Sequence, residues 1–537
     1  MSALVTATNQ SANMYFSDAR GCKAWFKTIP LTNVSQAQQM LRDALRHMNG
    51  SDSFVPLDRL TCLELLRDNV AYLVAQQRAR LAGKSIPLAA GEYAIHTQAR
   101  ELVAEMEAGY RRCWSEADGD DSPLAMHATL ILQRGVRYIG LQMMLATIVY
   151  RPFDRALWTR LHSLWLDAER RGLADKRVKD SIGSLDGVSS VQQAYAGVLL
   201  WQLANCYALS ARQVDFVEAV MLRFVHKVNV MVATTAPGPH CVIDLTADTG
   251  AEFHDHVGPD ETVRVLDLLE LSRSLRRRIK KLMEGEEPGK LDLPADWSAA
   301  DACTQLTRLH LLWCEGAPPA SATTVPDTAD ATLAFGLAQT HFYLHGNPFE
   351  QPGAKRELTR QELNDIKLFG KVSHATIAGR TNEFNFATEN WKIVDETRNQ
   401  LRLLRPTQSA RGVAIGRLLG IKIGAQGGWH LVVVRELLEE PEGYVIASVE
   451  MLPGVPQPAA VRSADLKNRT SSKYVQAFRL AADESKRQPE MLLLPSNLAK
   501  KGGPIDLCLS ADGVNRMVTL TDFAERCADF DRVFISG

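Results

Sequence analysis

Trp391-Lys-Ile-Val-Asp-Glu-Thr397, Gly416-Arg-Leu-Leu-Gly-Ile421, Trp429-His-Leu-Val-Val-Val-Arg-Glu436 and Tyr444-Val-Ile-Ala-Ser-Val-Glu-Met-Leu452 carry the reading of the fold. Apolar and polar residues alternate here with a period near two, and β-branched residues are dense. That pattern predicts short strands over Trp391–Asp395, Gln400–Leu404, Leu418–Ile423, Trp429–Leu437 and Tyr444–Leu452. Arg398-Asn399, Gln426-Gly-Gly428 and Glu440-Pro-Glu-Gly443 separate them as turns. Short strands at this spacing suit a small antiparallel barrel.

Further short β segments are predicted downstream at Met491–Leu494, Ile505–Leu509, Met517–Leu520 and Arg532–Ile535. Upstream, the small, polar, proline-rich stretch 317–330 reads as a linker. Before it the period changes. From Leu57 to about Arg80, Leu60, Leu63, Leu66, Val70 and Leu73 mark one helical face. Similar faces cover about Ala90–Trp114 and Leu124–Tyr150, the latter stopped by Pro152. Ser190 with Gln193, and Ser210 with Gln213, are spaced as capping boxes that start two more helices. His226–Thr235 and Cys241–Leu245 have β-like composition, with Pro237-Gly-Pro239 as a turn between them. The expected organisation is α+β and multi-domain: 1–225 helical, 226–316 mixed, 317–330 linker, 331–465 barrel with its lead-in, and 466–537 mainly β.

The chain has 537 residues, with 61 Lys plus Arg against 62 Asp plus Glu, a formal net charge of −1. Such a balance gives no global counter-charge for nucleic acid or an anionic membrane. The nine cysteines are an odd count without a CxxC pair, which suits reduced thiols. No basic start followed by an apolar run is present, and the most apolar stretches, Leu141–Tyr150 and Tyr195–Leu209, are short of the roughly 20 residues a span needs. The expectation is a cytoplasmic protein with no membrane span and no DNA or RNA partner.

Other constellations read plainly. His254-Asp-His256 could hold a metal, but Gly250, Gly258 and Pro259 around it favour a surface loop. The run Arg276–Lys281 reads as the solvated face of an amphipathic helix. His341 and His345, one helical turn apart beside Phe342 and Tyr343, suit packing better than ligation. GxGxxG after a strand, GxxxxGK[ST], GxSxG and HExxH are all absent, and no nucleophile, base and orienting residue form a catalytic set. No catalytic residue, metal or cofactor is expected.

The segments quoted at the outset resemble a PilZ domain over roughly 385–465. The long helical half before such a barrel is similar to a group of bacterial PilZ-domain proteins. The resemblance implies a cyclic di-GMP receptor. An R-x-x-x-R segment would fork guanidiniums onto phosphates or guanine edges, and a [DN]-x-S-x-x-G turn would meet the guanine. The positions that match are Arg356 and Arg360, with Arg380 closer to the barrel, and Asp395, Thr397 and Gln400 in the turn. Thr397 keeps the hydroxyl, while Gln400 replaces the glycine. Two readings stand: a non-enzymatic receptor that couples cyclic di-GMP to protein partners through the helical half, or an adaptor whose barrel binds only proteins.

Overall fold

The structure is a computed structural model. It describes residues 15–117, 122–316, 323–324, 329–353, 360–370, 373, 386–397, 399–405, 411–424, 426–464, 473–482, 489–498, 500–509 and 515–537, the side chains of 236–237 and 323–324 excepted. The chain divides into two compact units, Met1–Pro319 and Ala320–Gly537.

The first unit is mainly helical. Its helices are α1 Ala19–Trp25, α2 Val34–Gly50, α3 Pro56–Leu81, α4 Ala90–Glu116, α5 Ala128–Thr147, α6 Ala156–Arg170, α7 Val191–Leu203 and α8 Ala211–Phe224. A two-residue pair, β1 Val178–Lys179 with β2 Val188–Ser189, precedes α7. In α3 the apolar face predicted from spacing is buried, from Leu60 and Leu63 to Leu73. At the start of α7 the Ser190 hydroxyl accepts from the Gln193 amide at 3.2 Å. At the start of α8 the Gln213 side chain accepts from the Ser210 amide at 2.9 Å. Between them Asn205 takes a left-handed conformation (φ 53°) that turns the chain into a short 3-10 segment, Cys206–Ala208. Ser190→Ala is expected to lower stability by about 1 kcal/mol, read as a lower urea midpoint with an unchanged slope. No change would show that packing alone fixes this helix end.

Four strands come next, β3 Asn229–Val232, β4 Ala236–Asp244, β5 Glu252–Val257 and β6 Val263–Asp267, in the antiparallel order β3-β6-β4-β5. Two expectations are corrected here. Pro237-Gly-Pro239 is not a turn between strands: β4 runs through it, with a register shift between Pro237 and His240. Only β5 borders this part of β4, because β6 pairs with 242–244 alone, so prolines break no second ladder. His254 and His256 are not in a loop but on β5, an edge strand, with His254 opposite His240. Gly250 and Gly258 mark the ends of the strand rather than a loop. Helices α9 Leu269–Met283 and α10 Ala299–His310 complete the unit. Its core holds Trp165, Tyr195, Trp201 and Trp313, with the Trp165 and Tyr195 rings stacked 4.9 Å apart. Among the described residues no helix is long and apolar enough to cross a membrane.

The second unit is mostly β. Its strands are β7 Thr323–Thr324, β8 Asp330–Phe335, β9 Glu389–Glu396, β10 Gln400–Arg405, β11 Leu418–Ile423, β12 Trp429–Glu439, β13 Val445–Met451, β14 Pro456–Ser463, β15 Val475–Leu480, β16 Met491–Pro495, β17 Pro504–Leu509, β18 Asn515–Arg526 and β19 Phe530–Ser536. Helix α11 Gly336–His345 comes directly after β8, and α12 Arg360–Phe369 lies further along. The strand pairings β8-β9-β10-β13-β12-β11-β8 close one six-stranded barrel, with β7 added on β9. A second closed barrel runs β14-β15-β16-β19-β18-β17. Leu418, Leu431 and Val433 of the first barrel and Phe478, Leu493 and Phe530 of the second form one shared apolar cluster. In β12 the stretch Leu431–Val434 is buried on both faces and reads as the apolar run Leu-Val-Val-Val, whereas β10 and β13 alternate as the period of two predicts.

Candidate ligand site in the β unit

The hairpin between β9 and β10 gathers the three turn residues singled out in the sequence. Asp395 pairs in register with Arg402, and Glu396 with Leu401. The Thr397 amide donates to the Gln400 carbonyl at 2.8 Å, and the Gln400 amide donates to the Thr397 hydroxyl at 3.1 Å. The serine-to-threonine exchange therefore keeps a hydroxyl that organises the turn. Asp395 Oδ1 accepts from the Glu396 amide at 2.9 Å. Gln400 is a strand residue opposite Glu450 of β13, and it is not among the residues with positive φ. Its backbone therefore does not use the left-handed conformation that a glycine would serve. The motif does not point to Arg402, although hairpin register alone sets it across from Asp395. The next arginine, Arg405, is already committed. It is buried, forks onto Glu389 at 3.0 and 2.7 Å, donates to the Arg411 carbonyl at 2.8 Å and stands over the Trp391 ring.

Of the three arginines singled out upstream, Arg356 and Arg380 lie outside the described residues. Arg360 is the first residue of α12 and is exposed.

A cavity of about 440 Å³ opens at the segment that leads to these arginines. It lies between α11, residues 347–353 and strands β14, β17 and β18, and Gly353, the last described residue before Arg356, lines it. The lead-in is held in place by a reciprocal pair: Gln351 Nε2 donates to the Tyr474 carbonyl and the Tyr474 amide donates to Gln351 Oε1, both at 2.9 Å. Tyr474 is itself fixed, since its hydroxyl donates to Asp506 Oδ2 at 2.7 Å and accepts from Asn515 Nδ2 at 3.1 Å. Arg462 closes this network on Asp506 at 2.7 Å and over the Tyr474 ring. His341 stands at the inner wall, with Nε2 3.2 Å from the Ala459 carbonyl and its ring against Phe349 and Phe478. Burial, aided by His345, lowers its pKa to about 4, so the ring is neutral at neutral pH. The packing role expected of His341 is the one the structure shows.

The cavity offers amide, imidazole and aromatic surfaces and the carboxylate of Glu350, and its lining includes no guanidinium or ammonium group among the described residues. It can hydrogen-bond or stack a flat polar ring. A phosphate must find its cations elsewhere. Asp395, Thr397 and Gln400 do not line it. Sequence reasoning misses Gln351 and Asn515 here, because the wall combines residues more than 100 positions apart. Only the helical spacing of His341 and His345 gives a signal.

Residues 20–234, all within the first unit, match the family described as the N-terminal domain of the cyclic-di-GMP receptor FimW. The likeness extends beyond that segment. Over 555 aligned residues the chain is 22% identical to the cyclic-di-GMP receptor FimW of Pseudomonas aeruginosa, covering 95% of this chain and 90% of that protein. No solved structure matches. The chain is therefore similar to a cyclic-di-GMP receptor along nearly its whole length, through the β unit as well as the helical one.

Proposed function

We propose that this protein is a non-enzymatic signalling receptor for cyclic di-GMP, built on a PilZ-type first barrel. The observation that carries the reading is the similarity to a cyclic-di-GMP receptor along 95% of the chain. In this proposal Arg356, Arg360 and Arg380 supply guanidiniums to the two phosphates and the guanine edges. Asp395 and Thr397 on the β9–β10 hairpin meet a guanine, with Gln400 beside them. Closing the lead-in on the ligand changes what the helical half presents to protein partners. The local geometry supports the turn half of the site, because Thr397 already orders the hairpin and Asp395 keeps an oxygen not used by Glu396.

Isothermal titration of the full chain with cyclic di-GMP tests this. Saturable heat is expected, and Arg356→Ala with Arg360→Ala together should weaken binding at least tenfold, about 1.4 kcal/mol. No heat at tens of micromolar ligand, from a folded sample, would remove the receptor reading in favour of an adaptor that binds only proteins. Normal binding by the double variant would remove the site assignment alone.

A further inference from the structure

The first unit holds a cavity of its own. Helices α3, α5, α7 and α8 line a half-open cavity of about 390 Å³, and the lining is mainly apolar. Ala71, Gly140 and Gly197 leave room between the helices, and Tyr138, Met144 and Trp201 supply flat and flexible apolar surface. One wall is different, because Arg67 and Arg137 reach it.

These arginines belong to a charge cluster that does not balance. Arg67 donates to Asp180 Oδ1 at 2.8 Å, and Arg134 forks onto Glu64 at 3.0 and 3.1 Å. Arg137 has less. Its Nη1 donates to the Gly183 carbonyl at 3.2 Å and its Nε stands 3.7 Å from Asp180 Oδ2. Among the described residues, three guanidiniums thus share two carboxylates, Glu64 and Asp180. The Arg67 side chain is 7% exposed, and its Nε has no hydrogen-bond partner among the described residues. Arg78 on the same wall is not part of the surplus, since Glu218 closes it with bonds of 3.1 and 2.6 Å. Burial holds the Arg137 guanidinium below its ordinary pKa, as expected of a cation without full compensation. A cation in this position beside apolar surface favours an incoming anion, and a charge-assisted bond to it is strong.

We propose that this cavity binds a small molecule with one acidic group and an apolar body, an acyl or aryl acid, its acid on Arg137 and its body against Tyr138, Met144 and Trp201. The inference is independent of cyclic di-GMP binding. One surplus charge calls for one acid group, and the apolar lining excludes a ligand that is polar throughout.

The test uses the full chain and 1-anilinonaphthalene-8-sulfonate as a fluorescent aryl acid. One saturable equivalent is expected, displaced by decanoate and at least tenfold less well by decanol. Arg137→Gln should weaken both acids at least tenfold and leave decanol unchanged. Gly197→Leu should abolish all binding. A Cβ at Gly197 meets nothing within 4 Å, so this variant fills the cavity without a backbone clash, and an unchanged circular dichroism spectrum shows that it folds. Unaltered probe binding in both variants would overturn the proposal, as would decanol competing as well as decanoate. Displacement of the probe by cyclic di-GMP would also overturn it, by giving the cavity to the dinucleotide.

Discussion

Asp180→Ala is expected to destabilise the first unit by about 3–5 kcal/mol, the cost of breaking a buried ion pair by removing one partner. Asp180 is fully buried and accepts from Arg67 at 2.8 Å, Gln133 at 2.9 Å and the Gly183 amide at 3.1 Å. Removing it leaves Arg67, Arg134 and Arg137 facing Glu64 alone. Seven of the nine tryptophans lie before residue 317, so tryptophan fluorescence tracks the unfolding of this unit. With a slope of about 3 kcal/mol/M the urea midpoint should fall by roughly 1–1.7 M. A double variant, Asp180→Leu with Arg67→Met, should recover part of the loss, because it removes a pair rather than orphaning a charge. A single variant within about 0.5 kcal/mol of the parent would mean that water or a rearranged Glu64 compensates.

The same carboxylates set an acid limit. Burial alone would raise the pKa of Asp180, but Arg137 and Arg134 outweigh it and hold the group below its ordinary 3.8. For Glu64 burial is outweighed by the hydrogen bond and charge of Arg134, which hold it below 4.5. A depressed folded pKa contributes stability above the unfolded value and loses it as pH falls through the folded one. Stability of the parent should therefore hold above about pH 4.5 and drop below about pH 4. The deficit of Asp180→Ala should shrink over that same acid range, because protonation does to the parent what the substitution has already done.

How much is legible in the sequence depends on whether the deciding contacts are local. Leu418–Ile423 reads with its true ends, because turn residues and strand composition lie side by side in the chain. The second barrel does not read as one. Pro456 and Pro458 obscure β14, although prolines are tolerated where the strand ends or its ladder is open. His254 misleads because flanking glycines suggest a loop as readily as the ends of an edge strand. In the proposed nucleotide site, Asp395, Thr397 and Gln400 come together because one hairpin holds them. Neither cavity is visible in the sequence. The first joins His341 to Cys508 and Asn515, and the second appears only when Ala71, Gly140 and Gly197 come together from three helices. Arg67 and Arg137 look like ordinary surface residues of helical patterns, and only the fold shows that too few carboxylates accompany them.

Arg435 is the second position where one substitution should matter greatly. The register of β12 against β13 shifts between Val434 and Glu436, so Arg435 occupies the bulge. From there its Nε donates to Glu450 on β13 at 2.6 Å, and its two terminal nitrogens grip Glu525 on β18 of the other barrel. Arg532 adds a contact to Glu525 at 3.3 Å. Burial would raise the pKa of Glu525, but the hydrogen bond and charge of Arg435, with the charge of Arg532, together hold it below its ordinary value. Arg435→Ala leaves Glu450 without its cation and Glu525 with Arg532 alone. Because the group is partly exposed, the expected cost is about 2–3 kcal/mol, below that of a fully buried pair. Hydrogen exchange should locate it, with β18 and β19 amides losing protection and the helical unit unchanged. Arg435→Lys keeps the charge but not the fork, so it should fall between the parent and the alanine variant. Should alanine leave β18 protection intact, the shared cluster of Leu418, Phe478 and Phe530 alone holds the two barrels together, and the ion pair only sets their register.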